Sequence, residues 1–350
     1  MNRPRRPRFN SYAWTSSYRG FWAQHYYGMH FSSFFDSRIT SELDLRERLV
    51  ACEDVPEIFM MGNFVQERAG ILSLCREYGI NTVHGEDGFF PHYRNAHCDP
   101  LGFCWESSLP RIVFRDCTDA QHRAAVAARA KWVEGGCGRV PNGIRPPYVL
   151  WPLQLIGDKV NQFDLAVRNW TELLRHFRAC LPTCYQLVIK EHPRAKSQDG
   201  AGIPELVAEL PNSLLLPPSS DVRALIVGCS AVAGANSSVL YEARLMCHKP
   251  AYAYARSWFT NHEELFMPLS TRVDKSLPRI DWIDDGRRIR SERLDAYADW
   301  FLAQLLGRQV NCDRAKRDAT WLKDRIYQLS YDAYVQYGEE VFMLLDSDLP

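Results

Sequence analysis

At 350 residues with 46% apolar side chains, the chain exceeds ordinary single-domain size and can fill two cores joined by a hinge. Its 42 basic residues balance 42 acidic ones, which excludes a general attraction for nucleic acid and confines any anion site to a local cluster. Eleven scattered cysteines, an odd number in a chain this long, do not read as a disulfide framework and fit reduced thiols in a cytoplasm.

The first residues carry Arg3, Arg5, Arg6 and Arg8. An aromatic stretch follows, from Trp14, Tyr18, Phe21 and Trp22 through Tyr26, Tyr27, Phe31, Phe34 and Phe35. With no continuous aliphatic run, neither a cleaved signal peptide nor a membrane-spanning helix is expected. The aromatics pack on the first domain beside a disordered arm, or else rest with their basic neighbours on an anionic membrane surface. His92, His97, Cys98 and Cys104 are the nearest approach to a metal pattern, and their spacing matches no common zinc module. No metal is expected.

From Ile58 onward, short apolar runs alternate with amphipathic stretches, as in a doubly wound α/β fold. Ile58-Phe59-Met60-Met61-Gly62 reads as a strand. Residues 69–78 read as a helix closed by Gly79, and Thr82-Val83-His84 starts a second strand that gives way to a loop at Gly85-Glu86-Asp87-Gly88. Arg111-Ile112-Val113-Phe114 is a further short strand before a helix over 119–133. Pro141-Asn142-Gly143-Ile144-Arg145-Pro146-Pro147 cannot continue either regular structure and is the expected linker. This gives an acceptor-side Rossmann-like domain over 1–145, a nucleotide-binding one over 146–290, and helices over 291–350 that pack across both.

The second series opens with Tyr148-Val149-Leu150-Trp151, a helix over 164–178 and the strand Tyr185-Gln186-Leu187-Val188-Ile189. Next come Ser213-Leu214-Leu215-Leu216, a helix over 221–227, Ala231-Val232-Ala233-Gly234 and a helix opened by Asn236-Ser237-Ser238. At the end, Leu294, Tyr297, Phe301 and Leu305 share one helical face, and Trp321, Ile326 and Leu329 share a later one.

Lys190-Glu191-His192-Pro193 leaves an apolar strand on a stiff turn, with Lys190 and Arg194 as flanking cations. It reads either as an anion site or as a capped strand facing water. Ser237 and Ser238 open an apolar helix, where free N–H groups bind anions or a serine merely caps. Glu86 and Asp87 in the first domain and Asp158 in Gln154-Leu155-Ile156-Gly157-Asp158 supply loop carboxylates. Transfer at an anomeric carbon with retention needs one carboxylate to attack and another group to handle protons.

Taken in order, four short motifs resemble the bacterial capsule and lipopolysaccharide β-Kdo transferases, where Kdo is 3-deoxy-D-manno-oct-2-ulosonic acid. They are Glu86-Asp87-Gly88-Phe89, the strand and loop bearing Gln154 and Asp158, Lys190-Glu191-His192-Pro193, and Ser237 to Glu242-Ala243, spread over roughly 58–258. The chain departs from the family after Phe89. It has Phe90-Pro91-His92-Tyr93-Arg94 where an Arg-Ser pair is usual, which leaves the acceptor or sugar-carboxylate contacts open.

The resemblance implies a GT-B fold, two Rossmann-like domains facing a cleft with C-terminal helices crossing back. It also implies CMP-β-Kdo as donor and a retained β linkage. By the same resemblance Asp158 is the nucleophile and Glu86 the acid/base. His192, Lys190, Ser237, Ser238 and Gln154 belong to the nucleotide site, and Asp87, Arg94 and Glu242 are candidate substrate contacts. No cofactor or metal is implied, and the acceptor is a surface polysaccharide, such as capsule or O antigen, or a glycolipid. The protein is then expected in the cytoplasm or peripherally at the inner membrane. Alternatives are a GT-B transferase using CMP-sialic acid or a UDP-sugar, or a non-catalytic glycan-assembly partner.

Overall fold

A computed structural model describes residues 11–14, 37–39, 41–51, 58–62, 69–90, 95–102, 104–136, 138–155, 170–195, 202–269 and 292–330. Along the chain come β1 (Ser11–Trp14), β2 (Ser37–Ile39), α1 (Glu42–Ala51), β3 (Ile58–Gly62), α2 (Ala69–Glu77), β4 (Asn81–Asp87) and β5 (Asn95–Asp99). Then follow α3 (Asp119–Glu134), β6 (Tyr148–Pro152), α4 (Trp170–Cys180), β7 (Gln186–Lys190), α5 (Ile203–Glu209), β8 (Ser213–Leu216) and α6 (Val222–Gly228). The remainder is β9 (Ala231–Gly234), α7 (Ser238–Cys247), β10 (Ala251–Ala253), β11 (Phe266–Pro268), α8 (Glu292–Gly307), β12 (Gln309–Asn311), α9 (Cys312–Arg317) and α10 (Ala319–Gln328).

These elements form two compact units, one of Met1–Ile112 with Ala303–Pro350 and one of Val113–Leu302. In the first unit the sheet order is β12-β5-β4-β3-β1-β2. Strands β2, β1, β3 and β4 run parallel, while β5 is antiparallel to both β4 and β12. The α2 turn ends as its sequence dictates. Gly79 takes φ +64, and Ile80 N donates to Cys75 O at 2.7 Å before β4 begins. Apolar residues of α2, Ile71, Leu72, Leu74 and Cys75, pack with Leu45 and Leu49 of α1.

The second unit holds a wholly parallel sheet, β11-β10-β9-β6-β7-β8. Parallel strands are covered on both faces, so their sequences are continuously apolar. Accordingly every residue of β6, β7 and β9 is buried. Trp151 packs its ring 5.1 Å from Phe177 of α4, in a core shared with Leu187, Ile189 and Tyr254. Each such large apolar side chain contributes about 1.5–3 kcal/mol on burial.

Three expectations are corrected. The linker at 141–147 is not the division between units, which falls between Ile112 and Val113. Helix α3 belongs to the second unit because Arg129 donates to Leu245 O of α7 at 2.7 Å and pairs with Asp299 of α8 at 2.5 Å. Second, residues 111–114 form no strand. A 3-10 turn, Leu109–Arg111, ends there, and Phe114 spends its apolar ring on Tyr297 and Trp300, at 4.5 and 5.6 Å. Third, β4 does not stop at His84 but continues through Glu86 and Asp87, since β5 pairs along it to Asp87↔Ala96.

After Leu302 the chain belongs again to the first unit, where β12 is an edge strand beside β5. Helix α8 buries Tyr297, Phe301 and Leu305 of its predicted apolar face and leaves Leu294 half-buried, but from Tyr297 to Leu306 it is buried on every side rather than along one stripe. The aromatic N-terminal stretch lies outside the described residues apart from β1, as do 156–169; of the predicted helix over 164–178, the described part, from Trp170 onward, is helical in α4. Among the described residues no helix is long and apolar enough to cross a membrane.

Candidate functional site

In an open parallel sheet, ligands bind beyond the carboxyl ends of the strands, where the strand order reverses. In the second unit that reversal lies at β6. The chain proceeds from β6 to β7 and β8 on one side, then returns to β9 on the other. Three of the sequence motifs leave these adjacent strands. Gln154 follows β6, His192 follows β7 and Ser237 follows β9.

Gln154 and Asn236 bridge two of those strand ends. Gln154 Nε2 donates to Asn236 Oδ1 at 2.7 Å, and Asn236 N donates to Gln154 Oε1 at 3.1 Å. Asn236 is buried and its Nδ2 also donates to Arg256 O at 3.3 Å, which ties in the end of β10. Gln154 therefore braces the turn that carries Ser237. Ser237 caps α7, with extended φ and ψ and with its Oγ accepting from Val239 N at 3.3 Å. Ser238 is the first helical residue, at the positive end of a ten-residue helix.

His192 is half-buried on the turn after β7. Its Nδ1 accepts from Arg194 N at 3.1 Å, so the neutral ring carries its proton on Nε2, as a hydrogen-bond donor. Lys190 takes a different position from the one its flanking charge suggests. The ammonium is buried and donates to Glu191 O at 2.8 Å and Pro218 O at 3.1 Å. Burial holds it below the ordinary lysine value, opposed by Glu191 and Asp221. Arg194 and Arg256 are exposed cations on the turns after β7 and β10, and Arg256 carries no motif that marks it in the sequence.

Glu242 stands one turn into α7, against α3 and α6. Burial pushes its carboxyl up to about 7, while Arg223 and a hydrogen bond from Trp132 oppose the shift. Arg223 also lies over the Trp132 ring at 5.3 Å.

In the first unit Glu86 and Asp87 end β4, directly across from His97 and Ala96 of β5. The turn after them is fixed by close packing. Gly88 N donates to Asn95 O at 2.8 Å, and a Cβ at Gly88 would lie 2.7 Å from that same oxygen, so only glycine fits. Phe89 packs 4.5 Å from the His97 ring. Behind it, Asp99 is wholly buried and accepts from Ser108 Oγ at 2.6 Å, and Arg308 Nη2 donates to the same hydroxyl at 3.2 Å. His97 and Cys98 are consecutive on β5 and so occupy opposite faces, which separates two of the metal-pattern residues. Among the described residues no group of His, Cys, Asp or Glu could hold a metal ion.

Asp158 and Arg94 lie outside the described residues, as do the side chains of Glu86 and Asp87. Sequence reasoning passed over Asn236 as a site residue, together with Arg256 and the C-terminal Gln309, whose amide meets the turn after Glu86 and Asp87.

No protein-family model matches the chain, and no curated protein matches it in sequence. Solved structures do. The chain resembles a Thermosulfurimonas dismutans KpsC β-Kdo 2,7 transferase with a TM-score of 0.57 at 15% identity, covering 90% of this chain and 99% of that one. It also resembles a Thermosulfurimonas dismutans KpsC β-Kdo 2,4 transferase with a TM-score of 0.51 at 14% identity, covering 83% of this chain and 90% of that one. The likeness extends over most of each chain and establishes the fold as α/β of the GT-B type, two Rossmann-like units.

Proposed function

We propose that this chain is a glycosyltransferase that moves Kdo from CMP-β-Kdo to a surface-polysaccharide or glycolipid acceptor with retention of the β linkage. The observation that carries the reading is the meeting of separate motifs at one sheet edge. Gln154, His192 and Ser237 follow β6, β7 and β9, which are neighbours at the point where strand order reverses. The shared fold with two β-Kdo transferases supports the choice of donor.

On this reading the His192 Nε2–H and the N-terminus of α7 receive the CMP phosphate, and Arg194 and Arg256 add long-range positive charge. Fixed donors aimed at a phosphate stabilise the charge that grows as the leaving group departs. In the first displacement an Asp158 oxygen attacks the anomeric carbon, the bond from that carbon to the phosphate oxygen breaks, and CMP leaves with the electron pair. In the second, the acceptor hydroxyl attacks the same carbon and its bond to Asp158 breaks. The hydroxyl proton passes to Glu86. Two inversions give retention. Donor binding and charge stabilisation are supplied by protein groups, and Lys190 serves by holding the turn that presents His192.

Thermal unfolding with CMP or UDP tests the donor class. CMP at one hundred times its dissociation constant adds about 2.7 kcal/mol to stability. Stabilisation by UDP and not by CMP would instead favour a UDP-sugar transferase.

A further inference from the structure

The backbone after Glu86 and Asp87 is held from an unexpected quarter. Phe89 N and Phe90 N both donate to one oxygen, Gln309 Oε1, at 2.7 and 2.6 Å, and Gln309 Nε2 donates back to Phe90 O at 3.1 Å. Asn95 Nδ2 donates to the same Phe90 oxygen at 2.8 Å. Gln309 is buried and lies about 220 residues along the chain from the turn it grips. Across the sheet it is in register with His97, which is in register with Glu86, so positions 86, 97 and 309 form one cross-strand row.

The strand that carries Gln309 is itself anchored. Arg308 Nη1 donates to Gln304 O and Oε1, Cys98 N donates to Arg308 O at 3.1 Å, and Arg325 Nη2 donates to Gly307 O. A side chain fixed at its root and bonded three ways at its tip sets the position of the backbone it holds.

We infer that Gln309 is a positioning residue for the acidic turn, acting through the Phe89 and Phe90 amides to hold Glu86 where it takes the acceptor proton. This rests on the transferase reading above. It gives the C-terminal strand a part in the reaction without contact to substrate.

The test is steady-state transfer from CMP-Kdo by the full chain as wild type, Gln309→Met and Gln309→Glu. Methionine keeps the length and volume but accepts no amide hydrogen. It should lower kcat about tenfold or more with donor KM changed less than about twofold, since nucleotide contacts are untouched. Glutamate again offers an oxygen to both amides, and Asn95 still serves Phe90 O. It should recover most of the lost kcat and, by placing a negative charge in the same row as Glu86, move the kcat pH profile to higher pH. Wild-type kcat in Gln309→Met, or a Gln309→Glu enzyme with an unmoved pH profile, would overturn the positioning role while leaving the transferase reading intact. If Gln309→Met does not fold, the pH profile of Gln309→Glu decides alone. If wild type transfers sugar from none of CMP-Kdo, CMP-sialic acid and a UDP-sugar, the transferase reading fails and the positioning role falls with it.

Discussion

Gln154 and Asn236, 82 residues apart, are joined amide to amide at 2.7 Å across the ends of β6 and β9. The joint adjoins the Ser237 cap, which follows Asn236 directly and depends on it for its place. Replacing Gln154 with Leu leaves the buried Asn236 amide short of a donor and an acceptor, at a cost of about 1–3 kcal/mol in stability. Calorimetric titration should show CMP binding weakened about tenfold, or about 1.4 kcal/mol. Unchanged CMP affinity would mean that the Ser237 turn holds its place without the bridge.

Lys190 and His192 should separate cleanly by mutation. Lys190→Met removes the donor from Glu191 O and Pro218 O and should destabilise by about 1–3 kcal/mol in urea unfolding. His192→Ala leaves stability nearly unchanged and lowers CMP affinity more than Lys190→Met does. The opposite ranking of affinities would assign the phosphate contact to Lys190.

Glu242 makes stability depend on pH. A carboxyl raised from 4.5 to about 7 favours folding fully below its unfolded value, and that contribution is lost as pH rises through about 7. Glu242→Gln cannot ionise, still accepts from Trp132, and so escapes the loss. Melting curves from pH 5 to 8.5 should show the variant gaining on wild type through neutrality, by about 1–3 kcal/mol at the alkaline end. Parallel curves would contradict the placement of Glu242 against Trp132 and Arg223.

Arg308 and Asp99 are wholly buried and joined through Ser108 in the first unit. Arg308→Met strands a buried carboxylate and removes the donors to Gln304, so denaturant unfolding should show a loss of about 3–5 kcal/mol. A loss below about 1 kcal/mol would mean that Asp99 is satisfied by its Ser108 and Leu101 bonds alone.

Much of this was legible along the chain, because parallel α/β units write their strands as apolar runs. Tyr148 to Trp151, Leu187 to Ile189 and Ala231 to Gly234 are buried on both faces, and each appears where its sequence places it. The common edge of Gln154, His192 and Ser237 was legible for the same reason, since a motif that leaves such a strand must emerge at the crevice.

What was missed is stabilised at long range. The strand β5, Asn95-Ala96-His97-Cys98-Asp99, has no apolar alternation, and its polar residues are buried by partners elsewhere in the chain. Because β5 was not visible, β4 seemed to end at His84. Three residues, Gln309-Val310-Asn311, make β12, too short a run to read as a strand, and they are held by pairing with β5 and by Arg325, which donates to Gln309 O. The apolar run 111–114 misled in the other direction, since Phe114 found aromatic partners rather than a neighbouring strand.

The most direct test of the account is intact and peptide mass spectrometry of the protein after incubation with CMP-Kdo, with and without acceptor. Retention by double displacement predicts a gain of one Kdo residue, mapped to the peptide bearing Asp158 and discharged when acceptor is added. A protein that transfers Kdo with no adduct, and at the wild-type rate as Asp158→Ala, would contradict it.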